Sequence, residues 1–276
     1  MEEVFETFSG WILRNDRKLL FFDVDGTLID EKGFIPDSAT AAIRKARESG
    51  NLCYINTGRP YSHIAPEVKE IGFDGYVCGC GQHIIIDGKE IRFARISAEC
   101  CGYIVEKVRE YHMDTVYEGE AGFWAEFEEI PEFYRQEQKR FASYGLKTCL
   151  TGPVDGELFE KFCCWINPGS RFEEFRASVS AYFTPIDRDA GMYEFVQNGY
   201  SKEKGLRTVL EETGVGLGNC YAFGDSPNDL PMLSYIPHSI VMGNAMDYVK
   251  QAAEFVTEDM YHDGIEKAVE HYRLNQ

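Results

Sequence analysis

Near the start of the chain, a run of bulky apolar residues leads directly into two aspartates. Residues 19–30 read LLFFDVDGTLID, so Asp23 and Asp25 follow a segment with the apolar character of a buried strand. Carboxylates that lie close together repel each other, and burying them costs several kcal/mol unless positive charge compensates them. The stretch therefore predicts either a solvated loop at the end of a strand or a bound cation.

Strand and helix signals alternate on both sides of a middle part that has a different pattern. Apolar strand segments interleaved with amphipathic helical segments predict parallel βαβ units, and hence a doubly wound α/β sheet. Residues 84–186 instead begin with a hairpin signal, Asp87-Gly88, and continue as mixed helices and strands. We therefore predict a core domain formed by residues 1–83 and 187–276, and an inserted α+β cap domain formed by residues 84–186.

The net charge and the cysteines of the chain indicate which classes of partner the protein binds and in which cellular compartment it occurs. The formal net charge of −18 argues against a nucleic acid or an anionic membrane as partner, because both bind clustered Lys and Arg. No apolar stretch approaches the roughly 18 residues of a membrane span, and residues 1–17, which we expect to pack on the core with a short helix, do not resemble a secretory signal. Several of the nine cysteines lie in apolar runs, which predicts buried, reduced thiols and a cytoplasmic protein.

Four short polar motifs stand where a strand signal meets a helix signal, and ligands of open parallel sheets bind at such strand ends. In chain order the motifs are Asp23-Val24-Asp25-Gly26-Thr27, Asn56-Thr57-Gly58-Arg59-Pro60, Lys202, and Gly224-Asp225-Ser226-Pro227-Asn228-Asp229. Asp23 and Asp25 are two positions apart in an extended segment, so both carboxylates face the same space.

Each motif also has an ordinary structural interpretation when it is taken alone. Thr57 could cap a helix, and a lysine such as Lys202, or its neighbour Lys204, is usually a solvated surface residue. Ser226 could cap a helix as well, but capping gives no reason for Asp225, a further carboxylate at the end of a strand. The order of the four motifs therefore carries more information than any one of them.

Together and in this order, the motifs closely resemble those of the haloacid dehalogenase-like phosphohydrolases. The pattern DxDGT, then S/T-G-R, then Lys, then GDxxND is present in full, and the predicted insert resembles the C2-type cap of the Cof-type branch. Residues 241–245, VMGNA, also match a late loop of that branch. The chain departs from the branch in its additional residues 1–17 and in Cys80-Gly81, where the branch usually has Asn-Gly.

The resemblance implies a role for each motif. Asp23 would be the nucleophile that forms an aspartyl-phosphate, and Asp25 would be the general acid and base. The side chains of Asp23 and Asp225 and the backbone carbonyl of Asp25 would hold Mg²⁺, supported by Asp229. The residues that would bind the phosphate are Gly26, Thr57, Gly58, Arg59, Lys202 and Asn228, of which Thr57 and Lys202 would also take part in catalysis.

The function that the resemblance implies is Mg²⁺-dependent hydrolysis of a small soluble phosphomonoester, such as a sugar phosphate or a cofactor-like or nucleotide-like phosphate. One alternative is a phosphosugar mutase that uses the same pair of aspartates. The other is a non-catalytic protein that binds a phosphate ligand on the same scaffold. Because Asp23, Asp25, Lys202 and Asp225 are all present, we favour the phosphatase, with the cap domain as a lid that selects the leaving group.

Overall fold

The computed structural model describes residues 17–153 and 156–276, so the predicted N-terminal helix lies outside the described residues. The strands, in chain order, are β1 (Leu19–Phe22), β2 (Leu52–Asn56), β3 (Gly75–Cys78), β4 (His83–Ile86), β5 (Lys89–Phe93), β6 (Asp114–Gly119), β7 (Gly122–Glu126), β8 (Lys147–Cys149), β9 (Lys161–Trp165), β10 (Phe183–Asp187), β11 (Met192–Gln197), β12 (Cys220–Gly224), β13 (His238–Val241) and β14 (Phe255–Val256). The α-helices are α1 (Asp37–Glu48), α2 (Pro66–Ile71), α3 (Ala98–Glu110), α4 (Glu132–Ser143), α5 (Phe172–Val179), α6 (Lys202–Thr213), α7 (Leu230–Tyr235), α8 (Asp247–Lys250) and α9 (Gly264–His271). Within the two described ranges, none of the helices has the length and apolar content needed to cross a bilayer.

The larger of two sheets has eight strands in the order β14-β13-β12-β1-β2-β3-β4-β5. The strands from β14 to β3 run parallel, and the hairpin β4–β5 extends the sheet, with β4 antiparallel to β3 and β5 antiparallel to β4. The residues of β1 alternate between two buried clusters, with Leu20 and Phe22 on one face and Leu19 and Phe21 on the other. Burial on both faces explains the uninterrupted apolar run, and the predicted doubly wound α/β core is confirmed.

The smaller sheet has six strands in the order β10-β11-β9-β6-β7-β8, and we call residues 94–198, which contain it, the insert. Helices α3 and α5 cover one face of this sheet, where Phe162 of β9 belongs to the same buried cluster as Ile104 and Phe175. Because side chains alternate along a strand, Lys161 of β9 lies on the opposite face. That face borders a cavity that also reaches the first sequence motif.

The predicted range of the cap domain, 84–186, does not coincide with the boundaries of the two sheets. The hairpin β4–β5, which the sequence pattern assigns to the cap domain, extends the larger sheet, with Ile84 opposite Val77 of β3. Strand β11, which the pattern assigns to the core domain, pairs with β9 and β10 in the smaller sheet. A signal such as Asp87-Gly88 specifies a local turn and not the sheet that the hairpin joins. The division into a core domain and an inserted cap domain stays a prediction.

The nine cysteines are free thiols, and several of them are buried in the two sheets. Burial raises the pKa of Cys163 and of Cys220 to about 12, so these thiols stay protonated and unreactive. The predicted burial of thiols is confirmed, and the cytoplasmic location that we infer from them stays a prediction.

Glu160, which immediately precedes β9, is a buried carboxyl group with 6% of its surface exposed. Its Oε2 atom has no hydrogen-bond partner among the described residues. Burial, followed by the charge of Glu120, raises the pKa of Glu160 from 4.5 to about 8. The folded protein therefore retains a proton on Glu160 at pH values where the unfolded chain has lost it.

We expect Glu160→Gln to stabilise the protein in a pH-dependent way. Below about pH 4.5 the carboxyl is protonated in both states, so its raised pKa costs nothing. Between about pH 4.5 and 8 the stability of the wild type should fall by up to about 1.4 kcal/mol per pH unit, whereas glutamine has no such dependence. Urea denaturation of both proteins from pH 4 to 9 measures the difference, with the exposed Glu174→Gln as control. A difference that does not change with pH would contradict the expectation.

Candidate active site

Neighbouring parallel strands bring the sequence motifs to one edge of the larger sheet. Asp23 directly follows β1, Thr57 directly follows β2, and Asp225 directly follows β12. The backbone N–H of Asp23 donates to the carbonyl of Phe223 (2.9 Å) and that of Thr57 to the carbonyl of Val77 (2.8 Å). Because the carboxyl ends of parallel strands meet at one edge, motifs that are far apart in the sequence lie side by side.

Lys202 reaches this edge from the first turn of helix α6 and is buried, with 1% of its surface exposed. Its ammonium group donates to Asp23 Oδ1 at 2.7 Å and to Asp229 Oδ1 at 2.6 Å. Ser201 caps the helix by accepting from the N–H of Lys204 at 3.1 Å, which fixes Lys202 as the first helical residue. The side chain of Lys204 is exposed and donates to a backbone carbonyl. Of these two lysines, it is Lys202 that contacts the aspartates.

Three carboxylates meet beside Lys202 and form the most acidic part of the site. Asp23, Asp225 and Asp229 each offer an oxygen, and these oxygens all lie within 4.8 Å of one another. Burial, followed by the charge of Asp229, raises the pKa of Asp23 from 3.8 to about 7. Burial, followed by the charge of Asp23, raises the pKa of Asp225 well above its ordinary value. Two buried carboxylates and a partly buried one share a single lysine and so lack positive charge, and hard oxygen ligands at this spacing fit a cation such as Mg²⁺.

Hydrogen bonds hold the last motif in place. Asp229 Oδ2 accepts from the N–H groups of Asp225 and Ser226, both at 3.0 Å, while Thr27 Oγ1 donates to Asp225 Oδ1 at 2.7 Å. Ser226 and Asp229 thus form a capping box at a helix start just before α7, in agreement with the predicted cap at Ser226. Asp229 therefore orients the loop that carries Asp225.

Asp25 pairs with Arg59 and is not one of the three carboxylates of the cluster. The guanidinium of Arg59 donates to both oxygens of Asp25, at 2.6 Å each. Although burial opposes ionisation, the charge of Arg59 lowers the pKa of Asp25 below its ordinary value. The sequence places Arg59 at the phosphate, whereas here it binds the second aspartate; its N–H contacts Thr57 Oγ1 at 3.2 Å. A local pattern could not predict this pair, because the two residues belong to different strand ends.

Two glycines allow the motif loops to approach other elements closely. Gly26 has a φ of +80°, and a Cβ atom there would overlap the carboxylate of Asp225. A Cβ atom at Gly58 would lie 2.5 Å from Oε1 of Glu194, a residue of the insert. Asn228, from the last motif, donates to the other carboxylate oxygen of Glu194 at 3.2 Å. Both motif loops of the larger sheet therefore contact the same side chain of the insert.

A cavity of about 290 Å³ lies between this edge and the face of the smaller sheet that carries Lys161. From the larger sheet it is lined by Asp23, Asp25, Thr57, Gly58, Arg59 and Asn228. From the insert it is lined by Glu118, Phe123, Lys161, Trp165, Arg188 and Glu194, among others. The remaining predicted residues Gly26 and Lys202 lie against Asp225 and Asp23, respectively.

The charged residues of the insert are those that sequence analysis missed. Lys161 begins the apolar strand KFCCW, and Glu194 stands in the middle of the apolar strand MYEFVQ. A charged residue within a strand of this kind is rarely buried without a partner, so this pattern was the available signal. The signal does not identify the partner, because pairing between β9 and β11 is not local in the sequence.

Known proteins resemble this chain over most of its length. A family model described as haloacid dehalogenase-like hydrolase matches residues 20–269. The "Putative phosphatase YkrA" of Bacillus subtilis (strain 168) is 26% identical over 269 residues, which cover 94% of this chain and 99% of that protein. The "HMP-PP phosphatase" of Serratia proteamaculans (strain 568) is 26% identical over 244 residues, which cover 84% and 86%. A solved structure of a hypothetical protein from Geobacillus kaustophilus HTA426 is 26% identical with a TM-score of 0.77, covering 94% and 99%.

The contacts of Lys202 predict a large difference between two neighbouring lysine variants. Lys202→Met leaves Asp23 and Asp229 without their cation, and breaking a buried ion pair costs about 3–5 kcal/mol. Lys204→Met removes an exposed side chain and should change stability by less than about 0.5 kcal/mol. Denaturant titration of both variants in excess chelator measures the two effects. Equal losses of stability would contradict the assignment.

Proposed function

Because the chain belongs to the haloacid dehalogenase-like hydrolase family, we propose that it is a phosphatase that hydrolyses a small soluble phosphomonoester through an aspartyl-phosphate. The observation that carries the proposal is the buried cluster in which Lys202 binds Asp23 at the end of β1, beside a cavity of about 290 Å³. A cavity of this size suits a small metabolite. Two relatives named phosphatases, one of them for HMP-PP, support the same reaction class.

Asp23 is the nucleophile in this proposal. A carboxylate oxygen of Asp23 attacks phosphorus, the bond to the alcohol oxygen breaks, and the phosphoryl group stays on Asp23. Water then attacks phosphorus, releasing inorganic phosphate and restoring the carboxylate. Burial raises the pKa of Asp23 to about 7, so the attacking form depends on positive charge nearby, which Lys202 supplies at 2.7 Å. Thr57, at the end of β2, lines the cavity where its hydroxyl can donate to a phosphoryl oxygen.

Asp25 donates a proton to the leaving oxygen and then removes one from water. A carboxylate that is paired with a guanidinium carries no proton, so Asp25 must first separate from Arg59 and take a proton, from the monoanionic form of the phosphate ester or from solvent, before it can act as the acid. The phosphoryl group offers Arg59 an alternative anionic partner, in line with the phosphate contact that the sequence predicts for it. Binding of substrate would thereby release Asp25 for proton transfer.

The carboxylate cluster fits Mg²⁺, with Asp23, Asp225 and the backbone carbonyl of Asp25 as the residues that would hold it. When bound, Mg²⁺ would supply positive charge to the phosphoryl oxygens and to these carboxylates. Asp229 contributes by orienting the Asp225 loop and by sharing Lys202 with Asp23. We also propose that the protein is cytoplasmic and that its partner is the small phosphate ester that it hydrolyses.

We expect phosphate release to require a divalent metal. Excess EDTA should abolish release of inorganic phosphate from a panel of small phosphate esters, and Mg²⁺ should restore it, because the clustered carboxylates otherwise repel the substrate. Ca²⁺ should be a poor substitute, since its looser coordination misplaces the reacting groups. Full turnover in chelator would contradict the metal assignment. Isomerisation of a sugar phosphate without net release of phosphate would instead indicate a mutase.

The two aspartates of the first motif should behave differently when each is replaced by asparagine. Asp23→Asn should form no phosphoenzyme, and its kcat should fall by orders of magnitude. Asp25→Asn should still accept a phosphoryl group from p-nitrophenyl phosphate, whose leaving group needs no proton, and then hydrolyse it slowly. Rapid-quench trapping of labelled phosphoenzyme measures both. Label held by Asp23→Asn, or two variants that are identical in every phase, would show that the roles are wrongly assigned.

A further inference from the structure

Four charged side chains of the insert form a compact group in the wall of the cavity: Glu194, Lys161, Arg188 and Glu118, whose Oε1 lies 3.7 Å from Lys161 Nζ. Glu194 of β11 contacts Lys161 of β9, with 3.0 Å between Oε1 and Nζ. Its other oxygen, Oε2, lies 3.0 Å from Nη1 of Arg188, which follows β10. Glu194 is 2% exposed, so this one carboxylate sits between two cations inside the protein. The paired strands β9 and β11 fix the distance between Lys161 and Glu194.

The same carboxylate also contacts the motif loops of the larger sheet. Asn228 Nδ2 donates to Glu194 Oε2 at 3.2 Å. A Cβ atom at Gly58 would lie 2.5 Å from Glu194 Oε1 and 3.4 Å from Lys161 Nζ. Lys161 therefore lies directly beside the Thr57-Gly58-Arg59 loop, and a side chain at position 58 would displace the carboxylate of Glu194, which holds Lys161.

The group is charged throughout the working pH range of a phosphatase. Burial opposes ionisation of Glu194, but the charges of Lys161 and Arg188 lower its pKa to about 2. Burial lowers the pKa of Arg188, but Glu194 and then Asp23 raise it above its ordinary value. Arg188 is therefore a permanent cation within electrostatic reach of Asp23. A buried ion group contributes little to stability compared with packed apolar residues, so its position at the cavity requires another explanation.

We propose that Glu194 is a positioning residue that holds Lys161 and Arg188 where their charges bind the phosphoryl group of the substrate, so that the insert completes the phosphate site. This inference rests on the proposed function. Asp23 approaches phosphorus from the larger sheet, and the two cations face the same cavity from the insert. Positive charge held in place around the phosphoryl oxygens stabilises the transition state of phosphoryl transfer. Because Lys161 and Arg188 would bind the phosphoryl group, their contribution to substrate binding should not depend on the leaving group.

The test compares binding of inorganic phosphate with KM for two esters that differ in the leaving group, p-nitrophenyl phosphate and glycerol 3-phosphate. Glu194→Gln keeps the shape of the side chain and removes its charge. We expect its Kd for phosphate, from calorimetry with Mg²⁺, and both KM values to rise by the same factor, about tenfold or more. Lys161→Met should do the same, and Lys161→Arg should recover part of the affinity. Glu126→Gln, which removes the charge that pairs with Arg109 elsewhere in the insert, is the matched control.

Each of the other possible outcomes of this test contradicts a specific part of the inference or of the proposed function. Unchanged phosphate affinity with a raised KM for one ester would assign the two cations to the leaving group and refute the inference. Unchanged phosphate affinity with a lower unfolding temperature than Glu126→Gln would show a purely structural role. If Glu194→Gln does not fold, the same criteria apply to Lys161→Met. A wild type that hydrolyses esters while its variants bind phosphate normally refutes only this inference, whereas a wild type that neither binds phosphate nor hydrolyses any ester refutes the proposed function.

Discussion

The ammonium group of Lys202 is the interaction on which the rest of the site depends. Without it, Asp23 and Asp229 would lie buried next to Asp225 without the ammonium group that contacts both, and burying carboxylates without a compensating charge is costly. Lys202 and Asp23 are 179 positions apart in the sequence. The charge balance at the end of β1 is therefore reached only when the last third of the chain has folded against the first. The acidic site is a property of the whole fold and not of the motif that contains most of its carboxylates.

The two sheets contribute side chains of opposite charge to the cavity. The edge of the larger sheet carries the carboxylates of Asp23 and Asp225. Both are suited to binding a cation, and Asp23 is also suited to act as a nucleophile. The facing side of the smaller sheet supplies Lys161 and Arg188, fixed on Glu194. The alternation of side chains along β9 makes this possible, since one face of the strand packs against helices while the other borders the cavity.

Sequence reasoning could predict the parts of the site that are carried by local signals. The strand that leads to Asp23 and the capping pattern around Ser226 are written in neighbouring residues, and these predictions agree with the elements that are present. The Asp25–Arg59 pair and the anchoring of Lys161 on Glu194 depend on contacts between strands that are far apart in the chain. The same reason explains why the Asp87-Gly88 signal does not reveal that the β4–β5 hairpin joins the larger sheet.

The link between β11 and α6 has a mechanical consequence. Strand β11, which carries Glu194, ends at Gln197, and helix α6 begins with Lys202, so only residues 198–201 separate an insert strand from the lysine that binds Asp23. Gly199, in this link, has a φ of +92°, a conformation that few other residues adopt without strain. If the insert rotates relative to the larger sheet, this link acts as a hinge. Lys202, three residues beyond Gly199, would then move little, whereas residues of the insert far from the link, such as Phe123 of β7 in the cavity wall, would move much further.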